Sequence, residues 1–167
     1  MTMTTTRIDR GSTATTTIYS EGGDLVFERT FAAPRALVWR AMTDPELVPR
    51  WWGKHDSVTE VVEMDLRPGG RWRYISHAPN RDDVVFFGEY LTVDPPRGFE
   101  WTFMFEVPGG ELGGPETHTL SEVEGGTLVR TSGHFDSPEA IEGALATGMA
   151  EGAIETWDRL EALLTEL

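Results

Sequence analysis

Polar and apolar residues alternate with a period of two through the middle of the chain. In residues 99–107 the odd positions are large and apolar, and in Arg71-Trp72-Arg73-Tyr74 the even ones are. Such alternation buries one face of a strand and solvates the other, which predicts an antiparallel sheet with one covered face. A first strand is predicted over residues 25–31, and about six more between Ser57 and Phe135. Turn signals separate them: Arg67-Pro68-Gly69-Gly70, Pro79-Asn80-Arg81-Asp82-Asp83, Asp94-Pro95-Pro96-Arg97-Gly98, a Gly/Pro loop at 108–115, and Glu124-Gly125-Gly126. Two short helices interrupt the strands. The first, residues 35–42, opens behind Pro34 and carries Leu37, Val38 and Ala41 on one stripe; the second, residues 46–51, has Asp44 as its N-cap.

After Ser137-Pro138-Glu139 the period becomes helical. Ile141, Leu145, Met149, Ala153, Trp157 and Leu160 recur three or four residues apart, with Leu163 and Leu164 extending the stripe. Some 27 residues at 1.5 Å rise predict one helix of roughly 40 Å, enough to cross a sheet. The order is therefore strand, two short helices, about six strands, one long helix. A curved sheet under a single helix tends to leave an apolar cavity between the two, the usual character of a small-molecule site. Gly143, Gly148 and Gly152 inside the predicted helix fit either such room or close packing.

Residues 1–23 read differently. They are threonine-rich and predict a flexible arm, within which 15–19 is β-prone and suited to an edge strand. Residues 24–167 form one expected domain. The 167-residue chain carries 14 basic and 28 acidic side chains, a formal charge of −14, which disfavours nucleic acid as the main partner. With no cysteine there is no disulfide, thiolate metal site or cysteine nucleophile. No apolar run is long enough for a membrane helix, and the first twenty residues lack the apolar core of a signal peptide. A cytoplasmic location without membrane insertion is expected.

The run Arg29-Thr30-Phe31-Ala32-Ala33-Pro34 through Thr43-Asp44-Pro45-Glu46, followed by Arg50-Trp51-Trp52-Gly53, resembles the opening of the Aha1-like branch of the START/Bet v 1 (SRPBCC) superfamily. The resemblance continues in Glu63-Met64-Asp65-Leu66-Arg67-Pro68-Gly69-Gly70-Arg71-Trp72, Gly88-Glu89-Tyr90, Glu100-Trp101-Thr102-Phe103 and Trp157-Asp158-Arg159-Leu160. It implies an α+β helix-grip fold with a deep pocket between the C-terminal helix and the sheet. Superfamily members bind lipids, sterols and polyketides, and a minority catalyse cyclisation or hydrolysis. The eukaryotic activator of Hsp90 also uses a separate N-terminal domain, for which this chain is expected to have no room. A chaperone partner is therefore disfavoured.

No Walker loop, dinucleotide fingerprint, HExxH or EF-hand pattern occurs. The glycine-rich stretch 109–114 lies between strands and reads as a mobile hairpin loop. Neither metal nor cofactor is expected. His118 shares strand parity with Leu120 and is the candidate general base. His55 follows the tryptophan pair, where it would meet a ligand's polar end, while His77 and His134 read as surface residues. The carboxylates default to solvated surface, with Glu63 and Arg73 a candidate cross-strand pair. Expected around a ligand are Trp51, Trp52, Trp72, Tyr74, Trp101, Phe103, His118, Leu145, Met149 and Trp157. Binding of a small apolar or amphipathic molecule is the first reading. A cyclase- or hydrolase-like enzyme using the same cavity is the second, and a protein-interaction module of the chaperone co-factor kind the third. Homodimerisation is left open.

Overall fold

The computed structural model describes residues 6–167. Among the described residues nine strands form one antiparallel sheet in the order β1-β2-β3-β9-β8-β7-β6-β5-β4. They are β1 (Arg7–Asp9), β2 (Thr17–Glu21), β3 (Asp24–Phe31), β4 (Val58–Met64), β5 (Arg71–Ala78), β6 (Arg81–Asp94), β7 (Gly98–Val107), β8 (Gly110–Val123) and β9 (Gly126–His134). The seven from β3 onward match the alternation. The two additional strands come from the segment expected to be a flexible arm. β2 pairs with β3 from Thr17↔Glu28 to Glu21↔Asp24, because Thr16, Ile18 and Ser20 repeat the period-two pattern and are buried. On the opposite face Tyr19 lies under the Arg7 guanidinium, whose central carbon is 3.4 Å from the ring centre.

Of the stretch 109–114, residues 110–114 are strand rather than mobile loop. They pair with β7 up to Val107↔Gly110, and Gly109 supplies the positive φ of +88° that this tight connection needs.

Helix α1 (Arg35–Thr43) follows the predicted bounds closely. The second short helix shrinks to a single 3-10 turn, Val48–Arg50. Pro49 has no N–H to donate, and so short a segment gains little from further propagation. Asp44 still caps this corner, accepting from the Glu46 N–H at 2.9 Å. The C-terminal helix is two helices, α2 (Pro138–Ala146) and α3 (Met149–Leu164). Ser137 caps α2 by accepting from the Ala140 N–H at 3.1 Å. The break is at Gly148, whose φ of +85° is left-handed and closes α2 as α3 begins. The apolar stripe runs unbroken through this corner, since it records which residues face the core and not whether their helix is continuous.

The odd positions of β3, β7 and β9, together with even positions of β5 and β8, face the helices and form one core. Phe31, Val129, Leu120, Phe99, Trp101, Trp72 and Tyr74 meet Val38, Ile141, Leu160 and Leu163 there. One charged side chain lies among them. Arg29 is 2% exposed, and its guanidinium donates to Asp158 at 2.7 Å and Glu161 at 2.8 Å on α3. This pair of contacts fastens the last helix to the third strand.

Candidate functional site

The aromatic residues expected to line a cavity largely fill the space instead. The Trp72 and Trp101 rings stack at 4.0 Å with their planes 16° apart. Trp72, Tyr74 and Trp101 are each no more than 3% exposed. The indole N–H of Trp72 donates to the Thr102 carbonyl at 3.1 Å. That of Trp51 donates to the Ala41 carbonyl at 2.8 Å, so Trp51 anchors the 3-10 turn to α1 rather than facing a ligand. Trp157 packs edge-on against Phe31 at 5.8 Å. Two surface concavities stand out among the described residues, and neither is lined by Tyr74, Trp101, Phe103 or Trp157. One, of about 470 Å³, borders Thr15, Thr17, Thr30 and Glu161. The other, of about 380 Å³, borders Arg71, Arg73, Phe87 and Met104.

Trp52 closes the interior. Its ring sits within 5.1–6.2 Å of Tyr74, Phe86, Trp101, Trp72 and Phe103. The backbone that carries it is pinned from two sides. Thr59 Oγ1 donates to the Trp52 carbonyl at 2.6 Å. Arg159 Nη1, on α3, reaches the carbonyls of Trp52, Gly53 and Lys54 at 3.2, 2.9 and 3.1 Å. Three convergent carbonyls suit a planar guanidinium, which presents its donors in a fixed fork. Trp52 is nevertheless only half-buried, as are Phe86, Phe103, Leu145, Met149 and Ile154, and all six pack on the core. Trp52, Phe86 and Phe103 meet ring to ring, and with Leu145, Met149 and Ile154 of the C-terminal helices they belong to the half-buried apolar rim of the core.

Burial also marks the tyrosines beneath this rim. It pushes the Tyr74 phenol well above its usual value and Tyr90 up to about 12. An unfolded chain releases these protons near pH 10. The folded state thus holds more protons from there up to about pH 12. Stability is expected to be fully present below pH 10 and to fall by about 1.4 kcal/mol per pH unit for each phenol above it. Urea midpoints at pH 8, 10 and 11.5 check this, and the slope should shrink in Tyr90→Phe.

The polar part of the interior is on β8. His118 is 8% exposed, stacked on Phe99 at 4.6 Å. Its Nε2 lies 2.7 Å from Glu116 Oε1, and its Nδ1 lies 3.0 Å from Thr131 Oγ1. The indole N–H of Trp101 donates to the same Glu116 oxygen at 3.0 Å. Both imidazole nitrogens are thus engaged, which leaves His118 no free nitrogen with which to deprotonate a ligand. Glu116 is the residue that sequence reasoning missed. Its signal was available, since 116 shares strand parity with 118 and 120, the same argument that placed His118 inside.

The other polar candidates lie apart. His55 is exposed, its N–H donating to Glu155 at 3.0 Å. His77 is held by Glu60 at 3.1 Å and Asp83 at 2.9 Å, and these carboxylates raise its pKa. His134 meets Asp24 at 2.9 Å. Glu63 and Arg73 are register partners, but the Arg73 ion pair is with Glu106, at 3.5 Å. Among the described residues no helix is long and apolar enough to cross a membrane.

Comparison with known proteins places this geometry. A family profile described as activator of Hsp90 ATPase homolog 1-like protein matches residues 32–165. No curated protein matches the chain significantly. The structure of protein Ms6760 from Mycobacterium smegmatis is similar at 30% identity and a TM-score of 0.76, over 85% of this chain and 90% of that one. A Rhodobacter sphaeroides protein is similar at 27% identity and a TM-score of 0.82, over 92% and 99%. A Staphylococcus epidermidis protein is similar at 30% identity and a TM-score of 0.75, over 89% and 93%.

Proposed function

The chain belongs to the activator of Hsp90 ATPase homolog 1-like family, a fold family of ligand-binding and interaction modules, and from that premise we propose that it binds one small apolar or amphipathic molecule. The observation that supports this reading is the rim of six half-buried apolar residues, Trp52, Phe86, Phe103, Leu145, Met149 and Ile154. Side chains in this state are neither sealed in the core nor singly scattered on the surface. They come from the sheet, the 52–54 loop and both C-terminal helices, and half-buried apolar surface of this kind is what an apolar ligand exploits.

The stacked pair Trp72 and Trp101 forms a floor beneath this rim, so the ligand rests on the aromatic core at the corner of α2 and α3. Depth comes from displacing Trp52, whose side chain is the half-buried plug. Flat, aromatic-sized molecules fit such a floor best, by offset stacking and edge contacts.

Native mass spectrometry of gently purified protein, with analysis of its organic extract, tests the reading directly. A one-to-one adduct is expected, and naphthalene should quench tryptophan fluorescence saturably. Met149→Glu, half-buried at the first position of α3 where a helix N-terminus favours a carboxylate, should weaken naphthalene binding at least tenfold with thermal unfolding shifted by only a few degrees. A clean unliganded mass together with no saturable naphthalene binding would sink the proposal.

A further inference from the structure

Four side chains inside the sheet make a chain of hydrogen bonds that ends at an open position. Trp101 Nε1 can only donate, so Glu116 Oε1 accepts from it, at 3.0 Å. The same oxygen holds His118 Nε2 at 2.7 Å, and His118 Nδ1 meets the Thr131 hydroxyl at 3.0 Å. Trp101, His118 and Thr131 are buried to 8% exposure or less. Glu116 is the member that reaches solvent, its side chain 20% exposed. Every hydrogen bond it makes with the described residues falls on Oε1. Oε2 is the unused acceptor of the network.

The space around Glu116 is kept clear by glycine. Gly114 precedes it by two on the same face of β8, and Gly133 is its register partner on β9. A Cβ built at Gly114 would meet nothing within 4 Å, and one at Gly133 nothing nearer than Pro115 O at 3.8 Å. Neither glycine has the positive φ that would exclude a side chain. Close backbone packing therefore does not explain them. What they leave is room beside a carboxylate, next to Phe103, whose register partner is Gly114.

We propose that Glu116 is the polar anchor of the bound molecule: its Oε2 accepts a hydrogen bond from a hydroxyl on an otherwise apolar ligand. The inference rests on the binding reading above and specifies the ligand class as alcohols and phenols. Trp101 and His118 hold the carboxylate in place from behind, which removes the cost of ordering it when a ligand arrives. An ionised carboxylate accepts but does not donate, so an ether in the hydroxyl's position gains nothing and an anionic ligand is repelled. This is the kind of discrimination a buried hydrogen-bonding group provides, where apolar contact alone separates isosteres poorly.

The test uses 1-naphthol, 1-methoxynaphthalene and 1-naphthoate on the full chain, following tryptophan fluorescence and the Trp101 indole N–H resonance. Naphthol is expected to bind at least tenfold more tightly than either analogue and to shift the Trp101 resonance. In Glu116→Gln the preference for naphthol over the ether should fall below threefold, with binding of the ether little changed. Gly133→Val, which suits a strand, should fold normally and lose naphthol binding by filling the space. Equal affinities in the native chain, or a preference that survives both substitutions, overturns the anchor while leaving apolar binding standing. Binding of none of the three overturns the anchor and the binding reading together.

Discussion

Replacing Asp158 and Glu161 together by alanine is expected to destabilise the protein by about 3–5 kcal/mol, the cost of leaving a buried charge without its partners. Helix propensity cannot be the cause of such a loss, because alanine is the best helix former. The charge at issue is Arg29, whose side chain is 1% exposed while those of Asp158 and Glu161 are 49% and 47% exposed. Its Nε has no hydrogen-bond partner among the described residues, and besides the two carboxylates the guanidinium has only a long contact, 3.4 Å, to Thr16 Oγ1. The asymmetry yields a sharper expectation. Arg29→Met should cost less than the double replacement, since the abandoned carboxylates stay in water and methionine suits the apolar surroundings. Urea midpoints of the three proteins, at unchanged slope, decide it. A smaller loss for the double replacement than for Arg29→Met would contradict this account of the contact.

The second large effect is at Trp72. Trp72→Ala should cost about 3–5 kcal/mol, through lost burial and the cavity left behind. The ring is 1% exposed and stacks on Trp101 at 4.0 Å. A void walled by Trp52, Tyr74, Trp101 and Phe103 is apolar and should stay dry, open to a ring-sized guest. Added indole is therefore expected to raise the unfolding temperature of the variant by more than that of the native chain. At ten times its dissociation constant the guest restores about 1.4 kcal/mol. If indole protects both proteins equally, it binds at the rim and the stack is not what fills the interior.

Much of the fold was legible because it is local. The seven strands from β3 to β9 show period-two alternation, α1 lies between a proline start and an Asp-Pro stop, and Ser137-Pro138-Glu139 announces α2. The misses share one origin. β2 takes up the β-prone stretch expected to suit an edge strand, but its pairing and that of β1 rest on the free edge of β3, a partner no window of residues 1–23 contains. Residues 110–114 became strand because β7 extends far enough to pair with them.

The site was legible in kind more than in detail. Parity placed Trp72, Trp101 and His118 inside, yet the same parity applied to Glu116, which was set aside because a carboxylate defaults to water. Its acceptance by the interior depends on Trp101, fifteen residues away in sequence, and on the space beside Gly133.

The sequence by itself determined the seven strands from β3 to β9 and helix α1 in their order, the face each of them buries, and the family to which the chain belongs. These follow from periods of two and 3.6 residues, which any short window carries. Only the tertiary structure decided that tryptophans fill the expected cavity, that α2 and α3 meet at a corner, and that Glu116 turns one oxygen toward open space. Volume, register and hydrogen-bond pairing are relations between residues far apart in the chain. They acquire values only when the sheet has curved and the helices have closed over it.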